Sequence, residues 1–154
     1  MLKRYSIRPV RAADLDRIME IERACFGQEA YDRNLFADYT RKCGGLFLVS
    51  ECNGNVWGYA LACLAARSRA QGAQAELVSL AVDPAARGAG AAKALMDSTL
   101  RRLRRRGVGR IWLTVKVTNG RARAFYEKYG FEKIRVVRRY YEDGQDGVRM
   151  AKRL

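Results

Sequence analysis

One segment constrains this chain more than any other. The strand-like stretch Gln74 to Val82 carries the apolar run Leu77-Val78-Ser79-Leu80-Ala81-Val82 and is stopped by Asp83-Pro84. There follow Ala85-Ala86-Arg87-Gly88-Ala89-Gly90-Ala91-Ala92-Lys93 and a helical pattern from about Gly90 to Arg106, with Gly107 where a C-terminal cap belongs. A strand thus runs through a turn of very small residues straight into a helix. The first amides of a helix lack intrahelical acceptors, and that end carries a partial positive charge. Gly and Ala let an anion come close to those N–H groups, and Lys93 adds a cation one turn in. A turn of small residues also serves as a plain connector. Neither G-x-x-x-x-G-K-[ST] nor G-x-G-x-x-G is present, so a Walker loop and a dinucleotide fingerprint are excluded as readings.

The remaining elements follow from periodicity and breakers. Ser6 to Pro9 reads as a short strand. Ala12 to Phe26 reads as a helix with Leu15, Ile18, Met19, Ile21 and Cys25 inward. Tyr31 to Lys42 reads as a second helix, broken by Gly44-Gly45. Leu46 to Glu51 and Val56 to Ala65 read as strands, joined by a segment containing Asn53-Gly54, a strong hairpin signal. Arg67 to Ala73 is a polar loop. Ile111 to Val117 is a strand, Arg121 to Tyr129 a helix ended by Gly130, and Glu132 to Tyr141 and Val148 to Lys152 are strands across an Asp143-Gly144 turn. The order β-α-α-β-β-β-α-β-α-β-β predicts an α/β (α+β) fold, with helices on a mixed sheet.

At 154 residues with 49% apolar side chains, the chain fits a single domain over 1–154 with a real core. No apolar run approaches the ~20 residues needed to span a bilayer. No h-region follows Met1-Leu2-Lys3-Arg4-Tyr5, so a cytoplasmic protein without membrane association is expected. There is no His, which removes Ser-His and Cys-His dyads and the common Cys/His zinc sites; no metal is expected. A general base near neutral pH must be a carboxylate, Cys, Tyr, Lys, an α-amine or water. Spacing leaves disulfides among Cys25, Cys43, Cys52 and Cys63 open; free thiols packed as small apolar groups are the expectation. The net charge of +14 is uneven: residues 1–77 hold 11 basic against 9 acidic side chains, and residues 78–154 hold 19 against 7. A basic half suits an anionic ligand or partner, such as a nucleotide cofactor, RNA or an acidic protein.

Arg87, Gly90 and Ala92 match R-x-x-G-x-A, which resembles the acyl-CoA motif of the GNAT superfamily of N-acetyltransferases. Val82-Asp83-Pro84 before it and Ala94-Leu95-Met96 after it agree. So do Asn119 and Phe125-Tyr126-Glu127-Lys128-Tyr129-Gly130-Phe131, the superfamily's second familiar block. The two blocks cover residues 76–131. The resemblance implies a mostly antiparallel sheet of about seven strands flanked by four helices. It implies acetyl transfer from acetyl-CoA to a primary amine by direct attack in a ternary complex. The strand before the turn would splay from its neighbour, and the backbone of Leu80, Ala81 and Val82 would pair with the pantetheine arm. Arg87 opens the motif, and the N–H groups of Gly88, Ala89, Gly90, Ala91, Ala92 and Lys93 would hold the pyrophosphate. Asn119 would contact the cofactor arm, and Tyr126 would lie near the thioester sulfur as general acid.

Ala75-Glu76-Leu77-Val78 resembles a stretch in which some members place a catalytic Glu, so Glu76 is the candidate base. As residues alone, Tyr126 also fits a core aromatic, and Glu76 a strand-end carboxylate facing water. Trp112-Leu113-Thr114-Val115, Arg139-Tyr140-Tyr141 and Asp146-Gly147-Val148-Arg149-Met150 resemble the ribosomal-protein alanine (RimI-type) branch, whose Tyr pair lines the peptide entrance. Tyr140 and Tyr141 are therefore the candidate substrate residues, and a protein N-terminus is the implied acceptor. Two departures bear on that acceptor: Thr114 stands where the branch usually has Glu, and no Pro-Trp follows the first helix. The other acceptors left open are a small amine (aminoglycoside, polyamine, amino acid) and a protein lysine. A silent acyl-CoA- or RNA-binding module is the reading of a different class. Arg101, Arg102, Arg104, Arg105 and Arg106 suit a solvated helix C-terminus, or a patch for the ribosome, an acidic protein or the CoA 3′-phosphate.

Overall fold

The structure is a computed structural model and describes residues 4–154; Met1 to Lys3, within the segment read for a leader, lie outside the described residues. Seven strands, β1 (Ser6–Pro9), β2 (Phe47–Cys52), β3 (Asn55–Leu64), β4 (Gln74–Val82), β5 (Arg110–Lys116), β6 (Glu132–Val137) and β7 (Gly147–Arg153), form one sheet in the order β1-β2-β3-β4-β5-β7-β6. Four helices flank it: α1 (Leu15–Phe26), α2 (Arg33–Cys43), α3 (Ala91–Arg105) and α4 (Gly120–Lys128). Every pairing is antiparallel except β4–β5, which gives the mostly antiparallel mixed sheet that the resemblance implies. Among the described residues no helix is long and apolar enough to cross a membrane.

Helices α1 and α2 cover one face, where Ile18, Ile21, Phe36, Phe47 and Tyr59 are buried. Helix α3 and the ring-rich end of α4 cover the other with Met96, Leu100, Leu103, Tyr126 and Phe131. Strand β5 divides its residues between the faces: Ile111, Leu113 and Val115 enter the second core, while Trp112 and Thr114 face away from it. Asn53 and Gly54 both take positive φ (53° and 79°), the type of turn that Asn-Gly favours between antiparallel strands.

Several boundaries differ from expectation, each for a local reason. A 3-10 turn, Ala12–Asp14, precedes α1, because the Asp14 carboxylate accepts the Arg11 N–H at 2.7 Å and pairs with Arg8 at 2.8 Å. Helix α2 starts at Arg33, not Tyr31: the Asp32 carboxylate accepts the Leu35 N–H at 2.8 Å and caps it. Strand β6 ends at Val137, so Tyr140 and Tyr141 lie in a loop, not a strand. Arg139 turns the chain with φ of 51°, its N–H bound to Asp146 Oδ1 at 2.9 Å. The expectation of four free thiols is corrected. The last residue of α2, Cys43, meets Cys63 of β3 with Cα atoms 5.1 Å apart and forms a disulfide, whereas Cys25 and Cys52 are free.

Helix α3 sits against β3 and β4 because Gly58 has no side chain. A Cβ there would lie 2.9 Å from the Ala81 carbonyl oxygen, 3.1 Å from Ser50 Oγ and 3.2 Å from Leu95 Cδ1. Gly58→Ala should therefore destabilise the fold by about 1–3 kcal/mol and lower Tm by roughly 2–10 °C, as read by thermal unfolding. An unchanged Tm would show that α3 yields freely at this contact.

Candidate active site

Strand β4 pairs with β3 from Ala75 to Val82, with one irregularity at Val78, but with β5 only through Gln74, Ala75 and Glu76. From Leu77 onward its outer edge has no strand partner, so the two parallel strands part. A cavity of about 740 Å³ opens where they separate, with Leu77 to Leu80 on one wall and Leu113 to Lys116 on the other. Asn119, Tyr126, Tyr140 and Tyr141 line the same cavity.

Beyond the open edge, β4 leads into the glycine turn. Asp83 accepts the Ala85 N–H at 2.8 Å, and its carboxylate pairs with Arg17 at 2.6 Å. Gly88 and Gly90 hold φ of 80° and 95°, backbone that a side chain would strain, and Gly90 is the residue from which α3 departs. Ala89 N–H makes a long bond of 3.4 Å to the Ala86 carbonyl, but among the described residues no protein acceptor takes the N–H of Gly88, Gly90, Ala91, Ala92 or Lys93. These amides form a cradle for an anion at a helix N-terminus. The Lys93 ammonium is held by Asp97 at 2.8 Å, and Tyr129 ties the turn down by donating to Asp97 Oδ1 at 2.8 Å. Arg87 is exposed beside the Cys25 thiol. Side chains of Ala81 and Val82 lie in the core, so any contribution of theirs to a ligand is through the backbone.

Tyr126 is packed between Phe125 and Phe131, with ring centroids 5.5 and 5.6 Å away, and no protein group hydrogen-bonds its hydroxyl among the described residues. Burial pushes its pKa up to about 12, so the phenol keeps its proton at neutral pH. Asn119 caps α4, its Oδ1 accepting the Ala122 N–H at 3.1 Å. At the mouth, the Tyr140 and Tyr141 rings meet edge to face at 5.0 Å. Gly147 allows this loop to close in, because a Cβ there would lie 2.6 Å from Thr114 Cγ2 and 3.2 Å from Tyr140 Cβ. Lys116 bridges Glu29 and Asp143, lies 5.2 Å from the Tyr141 ring centroid, and holds the Asp143 carboxyl down at about 2.

Glu76 is not among the residues that line the cavity. It is half-buried, burial raises its carboxyl pKa, and Arg149 nearby lowers it in part. Arg149 itself stacks 4.7 Å from the Trp112 ring and donates to Thr114 Oγ1 at 3.3 Å. The cavity wall holds a different carboxylate, Glu22 of α1, together with Ser79, Tyr31, Glu29 and Lys116, none of which the sequence singled out as functional. Glu22 is 1% exposed, and burial pushes its pKa up to about 7. The available signal was positional: Glu22 follows Leu15 by seven residues and Ile18 by four, on the inward stripe of α1. Among the described residues no group of three or more Cys, Asp or Glu is placed to hold a metal ion.

The sequence profile of the acetyltransferase (GNAT) family matches residues 15–131. An N-alpha-acetyltransferase of Sulfurisphaera tokodaii is 30% identical over 156 residues, covering 97% of this chain and 93% of that protein. The ribosomal protein bS18-alanine N-acetyltransferase of Escherichia coli is 38% identical over 81 residues, 51% of this chain and 55% of that one. The crystal structure of Ard1 from Thermoplasma volcanium superposes with a TM-score of 0.91 at 27% identity, covering 97% of both chains. The match spans the parted strands, the glycine turn and the helix of Tyr126, and the chain belongs to the GNAT family of acetyltransferases.

Proposed function

We propose that this chain acetylates the N-terminal α-amine of a protein, with acetyl-CoA as the acetyl donor, as a single domain working in the cytoplasm. The observation that carries the reading is one cavity at the parting of β4 and β5, lined both by Tyr126 and by the Tyr140–Tyr141 pair. The named activities of the Sulfurisphaera and Escherichia relatives support it.

The residues present fit the donor. The free amides of Gly88 and Gly90 to Lys93 hold the pyrophosphate, with Arg87 beside them. The bare β4 edge at Leu80, Ala81 and Val82 pairs with the pantetheine amides, and Asn119 lies along the arm. Acetyl-CoA supplies the activated acyl carbon. Tyr140 and Tyr141 bury the first peptide units against aromatic faces while offering hydroxyls to the backbone. Tyr126, protonated at neutral pH, gives its proton to the departing thiolate. A carboxylate takes the proton that the amine loses. Glu76, the residue singled out by the resemblance, has its carboxyl pKa raised by burial and stands beside Arg149, but it is outside the cavity lining, whereas Glu22 is within it. Arg101, Arg104, Arg105 and Lys152 border a separate notch of about 520 Å³, the surface we assign to an acidic partner such as the ribosome.

A thiol-release assay with a peptide panel tests the acceptor. An α-amine titrates near pH 8, far below a Lys side chain, and is more readily neutral at pH 7. A free N-terminal peptide beginning with a small residue should be acetylated faster than the same peptide with a blocked N-terminus and one internal Lys. Faster turnover of the blocked peptide, or of a free polyamine, would replace the N-terminal acceptor with lysine or a small amine. Tyr126→Phe should lower kcat by roughly 100-fold with donor affinity little changed. An unaltered kcat in the folded variant would assign Tyr126 to packing.

A further inference from the structure

Helix α1 carries a carboxylate where an amphipathic helix ordinarily has a hydrocarbon. Glu22 Oε1 accepts a hydrogen bond from the Tyr59 hydroxyl at 2.7 Å, and the Tyr59 oxygen lies 2.9 Å from Ser79 Oγ. Glu22 Oε2 is buried without a hydrogen bond of ordinary geometry, and the Tyr31 backbone N–H faces the carboxylate and, like the Tyr59 hydroxyl, favours its ionised form. Tyr59 is fully buried in β3, whereas Ser79 is half-buried in β4, on the stretch that has lost its β5 partner and lines the cavity. The three groups form a continuous hydrogen-bonded line that joins two members of the cavity lining, Ser79 at the open β4 edge and the buried Glu22 carboxylate, through the core hydroxyl of Tyr59.

The direction of the donors follows from chemistry. An ionised carboxylate only accepts, so the single Tyr59 proton points to Glu22. Ser79 must then donate its own proton to the Tyr59 oxygen. A Ser79 Oγ lone pair remains for a donor in the cavity. A neutral amine arriving there is such a donor.

We propose that Ser79, Tyr59 and Glu22 form a proton relay that accepts the proton of the acceptor amine during acetyl transfer. As the C–N bond forms, the amine proton passes to Ser79 Oγ, the Ser79 proton to Tyr59, and the Tyr59 proton to Glu22. The C–S bond breaks and the thiolate takes the Tyr126 proton. Reversal of the line returns the Glu22 proton to solvent through the emptied cavity, and solvent reprotonates Tyr126. The groups around the carboxylate leave it free to do this. Tyr59 faces it from β3, Cys25 from α1 itself and Tyr31 from the segment before α2, and no cation pairs with it among the described residues. Its carboxyl, raised by burial to about 7, releases and takes a proton in the working range. A network that served only to bolt α1 to β3 would need no hydroxyl at the cavity wall.

The relay rests on the acetyl transfer proposed above, and one experiment separates the two. The kcat/KM for an N-terminal peptide is measured from pH 5.5 to 9 by thiol release, with thermal unfolding as a check on each variant. In the wild type, both the substrate amine and the relay must be unprotonated, so log kcat/KM should rise with a slope near 2 below pH 7 and near 1 just above it. Glu22→Gln keeps the shape and the neutral form of the buried group. It should cut kcat/KM about 100-fold at pH 7.5 and leave a slope of 1 throughout the acid limb. Ser79→Ala, which breaks the line at the cavity and leaves the Glu22–Tyr59 bond in place, should give the same profile, and it stands in if Glu22→Gln does not fold. Folded Glu22→Gln or Ser79→Ala enzyme with the wild-type slope overturns the relay, as does loss of the second proton dependence in Glu76→Gln instead. A wild type that acetylates peptides with a slope of 1 also overturns it, while a wild type that turns over no amine removes the acetyl-transfer reading and the relay together.

Discussion

A parallel strand pair that stops after three residues leaves Leu77 to Val82 with a bare backbone edge in the middle of a seven-stranded sheet. Unpaired N–H and C=O groups next to a core are costly unless water or a ligand satisfies them. The rest of the molecule is arranged around that edge. Strand β3 holds the other side of β4 along its length, and Gly58 lets α3 press close enough for the glycine turn to face the same opening. Strand β5 is held on its other side by β7, which pairs with it from Arg110 through Lys116. Helix α4 begins just beyond β5 and brings Tyr126 to the gap. The gap thus has a sheet-paired strand on each side and unpaired backbone groups along both facing edges.

The second organising constraint is charge. A chain without His must move protons near neutral pH with other groups, and burial is its means of tuning them. Tyr126 is pushed upward and stays protonated, whereas the Glu22 carboxyl is raised into the physiological range. An acid that keeps its proton and a carboxylate able to take one stand in the lining of a single cavity. Part of the excess positive charge of the second half lies elsewhere: Arg101, Arg104, Arg105 and Lys152 line a separate notch.

Much of this was legible from the sequence because it depends on short-range chemistry. Asn53-Gly54 announces its hairpin, and Gly88 and Gly90 announce backbone that other residues adopt poorly. Helix α3 and its Gly107 end follow from periodicity and capping. What was hidden depends on distant contacts. Nothing in the run Glu132 to Tyr141 shows that a non-glycine, Arg139, takes a left-handed conformation to satisfy Asp146, which puts Tyr140 and Tyr141 in a loop. The spacing of Cys43 and Cys63 says nothing of α2 packing across β3. The parting of β4 from β5 came only through the family likeness, since both segments read as ordinary strands. Glu22 was visible as an acidic residue on an apolar stripe, but its partners Tyr59 and Ser79 lie 37 and 57 positions away.

The central claim is that the bare β4 edge and the glycine turn together hold an acyl-CoA. Isothermal titration of the wild-type chain with acetyl-CoA tests it most directly. One-to-one binding is predicted, with Kd on the order of 1–100 µM and an affinity that falls as salt is raised from low to physiological strength, because the pyrophosphate contact is partly electrostatic. Absence of binding at millimolar acetyl-CoA would contradict the account.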